Sequence, residues 1–154
     1  MVAPGQGKVD VIDETTEADF MGGRCKRVSI FLSVFDVHVQ RAPVSGQMVY
    51  HKYTEGEFLS ATKADCGDHN ENALLGFVTL ANGNQKIGLR LIAGLIARRI
   101  NVWAVAGEKI TRGERISLIQ FGSRCDLYLP LEATVRVKLG DRVKVGESVI
   151  ATLP

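Results

Sequence analysis

Hydrophobic and polar residues along this chain fall into short runs. The runs either alternate with period two or are apolar throughout, which is the spacing of strands and not of long helices. After a turn, Val9 and Val11 share one face of a first strand. Residues 28–39, V-S-I-F-L-S-V-F-D-V-H-V, are apolar at nearly every position, which predicts one strand buried on both faces. In that strand Asp36, His38 and Gln40 would share a face, with Val37 and Val39 on the other. A strand begins again at Tyr50, and Phe58, Leu59, Ser60 and Ala61 fit one helical turn. Residues 74–80 are apolar, and the A-N-G-N-Q after them has hairpin chemistry. Residues 86–105 fit two templates: Leu91, Ile92, Leu95, Ile96 and Arg99 have helical spacing, whereas residues 86–92 alternate. The strand is preferred, with Gly94 as a bulge or bend, and with Arg98 and Arg99 at the surface or near Ser123. Residues 13–23 and 62–72 are polar without periodicity and read as loops.

The stretch I-Q-F-G-S-R-C-D-L-Y-L-P, residues 119–130, organises the rest. Apolar Ile119, Phe121, Leu127 and Leu129 flank a Gly-Ser-Arg centre, which predicts strand, tight interruption, strand. Glycine permits backbone angles closed to other residues and leaves its carbonyl carbon unshielded. The hydroxyl of Ser123 directly follows, and it can attack the Gly122 carbonyl from within the chain. The peptide then rearranges to an ester, and elimination and hydrolysis leave a pyruvoyl group. That chemistry needs a base or strain. Gly-Ser is equally an ordinary turn pair, so the surroundings decide. His38 can be a packed strand residue, but the carboxylate of Asp36 is placed to orient its ring or raise its pKa.

Two phrases recur. A-P-G-Q-G-K-V at residues 3–9 returns as A-P-V-S-G-Q-M-V at 42–49, with gaps that differ by one residue. G-E-K-I-T-R-G-E-R-I-S-L-I at 107–119 matches G-D-R-V-K-V-G-E-S-V-I-A-T at 140–152 without a gap. A turn-strand-turn unit used twice builds a flattened β-sandwich or barrel of two intertwined halves, similar to the lipoyl and biotinyl carrier hammerhead. A carrier needs a lysine at a hairpin tip, whereas Lys109 and Lys144 lie inside the units.

Composition narrows the class. A chain of 154 residues, 45% hydrophobic and rich in glycine, Val and Ile, suits one mainly β domain with at most one or two short helices. A net charge of +2 without a basic run argues against nucleic acid as partner. Cys25, Cys66 and Cys125 are an odd set at unrelated spacings, which fits free thiols in a reducing compartment. Cys66 and His69 form a C-x-x-H pair, but no second pair stands at a zinc-like spacing, so no metal is expected. No signal peptide is evident, and the apolar run 91–97 is too short to span a bilayer.

Taken together, five phrases resemble the short-form phosphatidylserine decarboxylases, the pyruvoyl-dependent enzymes of bacteria and archaea. They are F-L-S-V-F-D-V-H-V-Q-R-A-P-V-S-G (31–46), N-E-N-A-L-L-G (70–76), I-A-G-L-I-A-R-R-I (92–100), G-E-K-I-T-R-G-E-R (107–115) and F-G-S-R-C-D-L-Y-L-P (121–130). The resemblance implies a proenzyme cleaved between Gly122 and Ser123, with a β chain of residues 1–122 and an α chain of 123–154. Ser123 would become the covalent pyruvoyl cofactor, whose keto group condenses with the serine amine of the substrate and accepts the electrons released with carbon dioxide. The products would be phosphatidylethanolamine, or archaetidylethanolamine from archaetidylserine. His38 stands at the family's motif histidine and would donate the proton, helped by Asp36. Arg41, Asn70 and Glu71 would contact substrate.

Two departures qualify the match. Family members usually carry P-A-D-G-K-V near the start, and its aspartate supports the base. Here the phrase is P-G-Q-G-K-V, and Gln6 cannot stabilise an imidazolium by charge. The alternative is therefore a relative that keeps the fold and binds lipid without maturing. Family chains also usually open with an apolar membrane segment, whereas this sequence starts inside the first motif. A peripheral position on the cytoplasmic face of the membrane is expected, through exposed apolar residues and surface Arg or Lys. The apolar excess is also compatible with a homodimer.

Overall fold

The computed structural model describes residues 1–62, 66–81, 83–96 and 99–154, with side chains left out at 66 and 67. The readings of Arg98 and of the Cys66 side chain fall outside these described residues.

The strands are β1 (Gly7–Glu17), β2 (Gly23–Leu32), β3 (Val39–Arg41), β4 (Gly46–Thr54), β5 (Asn72–Thr79), β6 (Lys86–Ile92) and β7 (Ile100–Val102). There follow β8 (Lys109–Ile110), β9 (Arg115–Ile119), β10 (Ser123–Leu129), β11 (Thr134–Val135), β12 (Arg142–Val143) and β13 (Ala151–Thr152). Among the described residues the single helix is a four-residue turn, Cys66–His69. The mainly β expectation therefore holds. Eight strands form one antiparallel sheet in the order β12-β1-β2-β10-β6-β5-β4-β8. A smaller sheet, β3-β9-β7, and the pair β11-β13 complete the fold.

Period-two patterning decides which side of the large sheet is the core. Ile30, Cys125, Leu91 and Ala73 lie opposite one another across four strands, as do Val28, Leu127, Leu89 and Leu75. All eight are fully buried in the main core. Burying each larger aliphatic side chain stabilises the fold by about 1.5–3 kcal/mol. The intervening row, Ser29, Asp126, Arg90 and Leu74, faces the other way.

The repeat units occupy equivalent places around a pseudo-two-fold axis between β10 and β6. Gly107 N–H donates to Met48 O and Met48 N–H to Glu108 O; Gly140 and Val9 make the same exchange with Asp141. Gly113 N–H donates to Ala42 O, and Gly146 N–H to Ala3 O. Each unit thus closes on one of the two A-P phrases, so the recurrences at 3–9 and 42–49 have a structural cause. Both β1 and β4 carry a bulge at the matching place, at Asp10 and at Val49.

Three local expectations are corrected. The strand read across 28–39 breaks after Leu32, and β3 starts only at Val39. The cause is Asp36: its carboxylate accepts from Ser33 N–H (2.9 Å) and Ser33 Oγ (2.8 Å), and its own N–H donates to Ser33 O. Local side-chain bonding of this kind competes with the ladder and makes a turn. Asp36, His38 and Gln40 therefore do not share the face of one strand. No helical turn forms at 58–61, because the Asn70 side chain satisfies both main-chain groups of Leu59 (2.9 and 2.8 Å). Residues 13–23 are mostly hairpin strand and not loop. Arg27 grips Asp13 across the strands, and the Glu17 carboxylate caps the tip by accepting from the N–H groups of Asp19, Phe20 and Met21.

Candidate active site

Strand β9 ends at Ile119 and β10 begins at Ser123, so Gly122 sits in the interruption that the pattern predicted. Its φ is +67°, a left-handed conformation that favours glycine. Ser123 pairs with Leu32 of β2 and is fully buried. Its Oγ has no hydrogen-bond partner. A buried hydroxyl left unpartnered is costly, and in a native fold it calls for an explanation.

The carbonyl oxygen of Gly122 presses against Gly94, where even a methyl group would overlap it. Gly94 therefore serves a close backbone approach, at the point where the chain leaves β6. Asn70 fixes this approach from behind: its Nδ2 donates to Ala93 O at 2.8 Å. Glu71 joins in through its main chain, accepting from Ala93 N–H at 2.9 Å.

His38 is tied to the same junction. Its main-chain oxygen accepts from Ile119 N–H at 3.1 Å, and its ring packs edge-on against Phe121, 5.4 Å between centroids. Nε2 is buried without a partner. Burial holds the imidazole pKa below its ordinary value, only partly offset by a hydrogen bond to the Asp36 main-chain carbonyl and by the Asp36 charge. The ring is thus neutral at pH 7 and able to accept a proton. The Asp36 carboxylate itself does not touch the ring; it binds Ser33 and pairs with Arg142 at 2.6 Å.

Arg41 donates to Gly113 O at 2.6 Å and lies against Gly146, so it braces both repeat turns. Asn70 is buried with its amide fully engaged. The Glu71 carboxylate lies beside Tyr53, where burial first, then a hydrogen bond to Glu71 and its charge, push the phenol pKa up to about 12. A cavity of about 300 Å³ adjoins the junction, lined by Phe31, Ser33, Val34, Ala61, Leu95 and Gly122. Around it Val34, Phe35, Val37, Leu95, Ile96 and Phe121 are exposed, Phe35 almost completely at 96%.

The sequence reading missed Asp10 and Arg124. Arg124, fully buried at the start of β10, forms a bidentate pair with Asp10 (2.5 and 3.1 Å) and donates from Nε to Ala61 O at 2.9 Å. Charged residues in a strand that also carries Cys125, Leu127 and Leu129 were the available signal.

The sequence model of a family described as phosphatidylserine decarboxylase matches residues 1–151 of this chain. The chain belongs to the phosphatidylserine decarboxylase family. It is 46% identical over 154 residues to a phosphatidylserine decarboxylase proenzyme of Symbiobacterium thermophilum, covering 100% of this chain and 71% of that protein. A proenzyme of the same name from Desulfotalea psychrophila is 42% identical, covering 99% and 71%. One from Geobacter metallireducens is 40% identical, covering 100% and 69%. No solved structure matches the chain significantly. For a phosphatidylserine decarboxylase family member, the junction is where a serine-derived group fits: an orphaned buried hydroxyl follows a left-handed glycine whose carbonyl is cradled. Gln6, at the place of the family's usual aspartate, is half-buried and has no polar partner among the described residues.

Proposed function

We propose that this chain is a self-processing, pyruvoyl-dependent decarboxylase. It converts phosphatidylserine, or archaetidylserine, to the corresponding ethanolamine lipid and carbon dioxide. The single observation that carries this reading is the unpartnered, buried Ser123 Oγ beside the cradled carbonyl of Gly122.

Maturation is a reaction of the chain on itself. Neutral His38 takes the hydroxyl proton, and Ser123 Oγ bonds to the Gly122 carbonyl carbon. The C–N bond breaks, the freed amine picks up a proton, and residues 122 and 123 are joined by an ester. Loss of the α proton of residue 123 then expels the Gly122 carboxylate and leaves dehydroalanine. Addition of water and release of ammonia convert that residue to pyruvoyl. The β chain is then 1–122 and the α chain 123–154.

A pyruvoyl group at 123 supplies a keto carbon for the substrate amine and an electron sink when carbon dioxide leaves. The remaining roles belong to side chains already in place. A proton held on His38 Nε2 is readily given up to the substrate's α carbon, because burial disfavours imidazolium. Asp36 fixes the histidine through its carbonyl and anchors the turn at 33–36 through its carboxylate. Asn70 and Glu71 act on substrate by holding residues 93–96 at the cavity. Arg41 acts more remotely, through the repeat turns.

The lipid is met at a membrane surface, on its cytoplasmic face. Exposed Val34, Phe35, Val37, Leu95, Ile96 and Phe121 crowd the mouth of the cavity beside Gly122, which supports an apolar lip entering the acyl region.

Denaturing mass spectrometry tests the reading. Two fragments are expected, the smaller starting at residue 123 with no free amine. Ser123→Ala should stay whole. Unsubstituted protein that stays intact under prolonged incubation would remove this function.

A further inference from the structure

The Asp10–Arg124 pair has no role in the maturation chemistry, yet its arginine is the next residue after Ser123. The Arg124 side chain is on the opposite side of β10 from the core. Its guanidinium is 1% exposed, forks onto both oxygens of Asp10 and also reaches the carbonyl of Ala61. These three attachments join the residue after the junction to the bulge of β1 and to the loop lining the cavity. Planar bidentate pairing of this kind fixes orientation as well as distance.

The pseudo-two-fold axis supplies an internal control. The matching bulge in β4 has Val49 at its tip, and Val49 is exposed. The strand position equivalent to Arg124 is Lys86, which binds the Phe20 main-chain oxygen at 3.1 Å. The fold therefore builds the same bulge and the same strand without an ion pair. The acid and the arginine occur only in the half that contains Ser123. Burial raises the Asp10 pKa even against the pull of Arg124, so the pair is kept despite a desolvation cost.

We propose that Asp10, acting through Arg124, is a positioning residue: the pair clamps the start of β10 so that residue 123 holds its place before and after the chain breaks. Before scission the clamp aims Ser123 Oγ at the Gly122 carbonyl. After scission it holds what has become a chain end. This inference rests on the decarboxylase reading, and the experiment separates the two.

The rate of scission at 122–123 is followed by denaturing mass spectrometry in the unsubstituted chain and in Asp10→Ala, Asp10→Asn and Asp10→Glu. All are held at least ten degrees below the melting temperature of each variant, measured in a Ser123→Ala background. Scission should slow by about tenfold or more in Asp10→Ala and Asp10→Asn, and Asp10→Glu should recover to within about threefold. In matured protein, turnover per titrated pyruvoyl should fall in Asp10→Ala while KM stays within about twofold. Equal scission and turnover in Asp10→Ala and the unsubstituted chain would overturn the clamp and leave the decarboxylase reading intact. Absence of scission in every protein would overturn both.

Discussion

The carbonyl oxygen of Gly122 rests against the α carbon of Gly94, with no room between them for a methyl group. The bond proposed to break is therefore held by a residue 28 positions earlier in the chain, at the point where β6 ends. Gly94→Ala must push the carbonyl aside. Scission is expected to slow by on the order of 100-fold, the usual effect of a displacement of about 1 Å in a reacting group. A time course on denaturing gels checks this. Scission at the unsubstituted rate would show that the contact is incidental.

The His38 imidazole is buried, and its pKa lies below the ordinary 6.5. The scission rate should be flat from pH 7 upward and fall only at pH values below that ordinary figure, as the ring takes up a proton. The same shift has a stability consequence of known sign. The unfolded chain binds this proton more readily than the folded one, so stability is lost as pH falls through the unfolded value towards the folded one. His38→Asn should abolish the pH-dependent step and reduce scission by about 100-fold or more. A pH-rate profile with its inflection above 7 would contradict the assignment.

Asp126 lies on the outer row of β10, buried, with Oδ1 meeting no donor and Arg27 3.9 Å away. Burial raises its pKa, outweighing the Ser29 hydroxyl and the three arginines that pull it down. A raised carboxyl pKa means that the folded state holds the proton more tightly. Stability contributed by this group is present at low pH and is lost as pH rises through the folded value. Asp126→Asn in the Ser123→Ala background should therefore melt higher than its parent at pH 8, with the difference shrinking towards pH 4. Melting curves at the two pH values decide it, and a lower melting temperature at pH 8 would refute it.

Phe35 stands at the tip of the turn that Asp36 closes, and it is almost wholly exposed. Placing a phenyl ring in lipid is worth about 1.5–3 kcal/mol. Phe35→Ser is therefore expected to weaken binding to phosphatidylserine-containing vesicles by about tenfold or more while leaving scission unchanged. Vesicle co-sedimentation measures the first and mass spectrometry the second. Unaltered vesicle binding would place the lipid surface elsewhere.

Much of this arrangement could be read from the residues. The alternation in β6 and β10 located those strands, because a half-buried sheet forces period two. In β1 it misled: the bulge at Asp10 pairs Val11 with Ser29 of the outer row, so Val9 and Val11 do not share a face. The matched turns at 107–119 and 140–152 gave the intertwined halves, and Gly122-Ser123 marked the junction. What escaped reading depends on partners distant in sequence. Nothing near Leu59 announces that Asn70 will bond its main chain and prevent a helical turn. Nothing near Asp10 announces a bulge that turns its carboxylate towards Arg124, because the partner is 114 residues away. The break in the apolar run 28–39 was closer to legible: Ser33 and Asp36 are turn formers three apart, outweighed in the reading by the valines around them.

The place of β10 in the large sheet has a consequence for the proposed two-fragment form. It lies between β2 and β6, bonded to both, and the strand β12 from the same fragment borders β1. Residues 123–154 are thus woven through the remainder, and a cut at their start releases nothing. Heat or urea that pulls the sheet apart would let the pieces drift away as two unlinked polymers, and recovery would then depend on their concentration. The precursor should regain its shape after denaturation at any dilution, whereas the processed molecule would do so only where its two pieces are concentrated enough to meet.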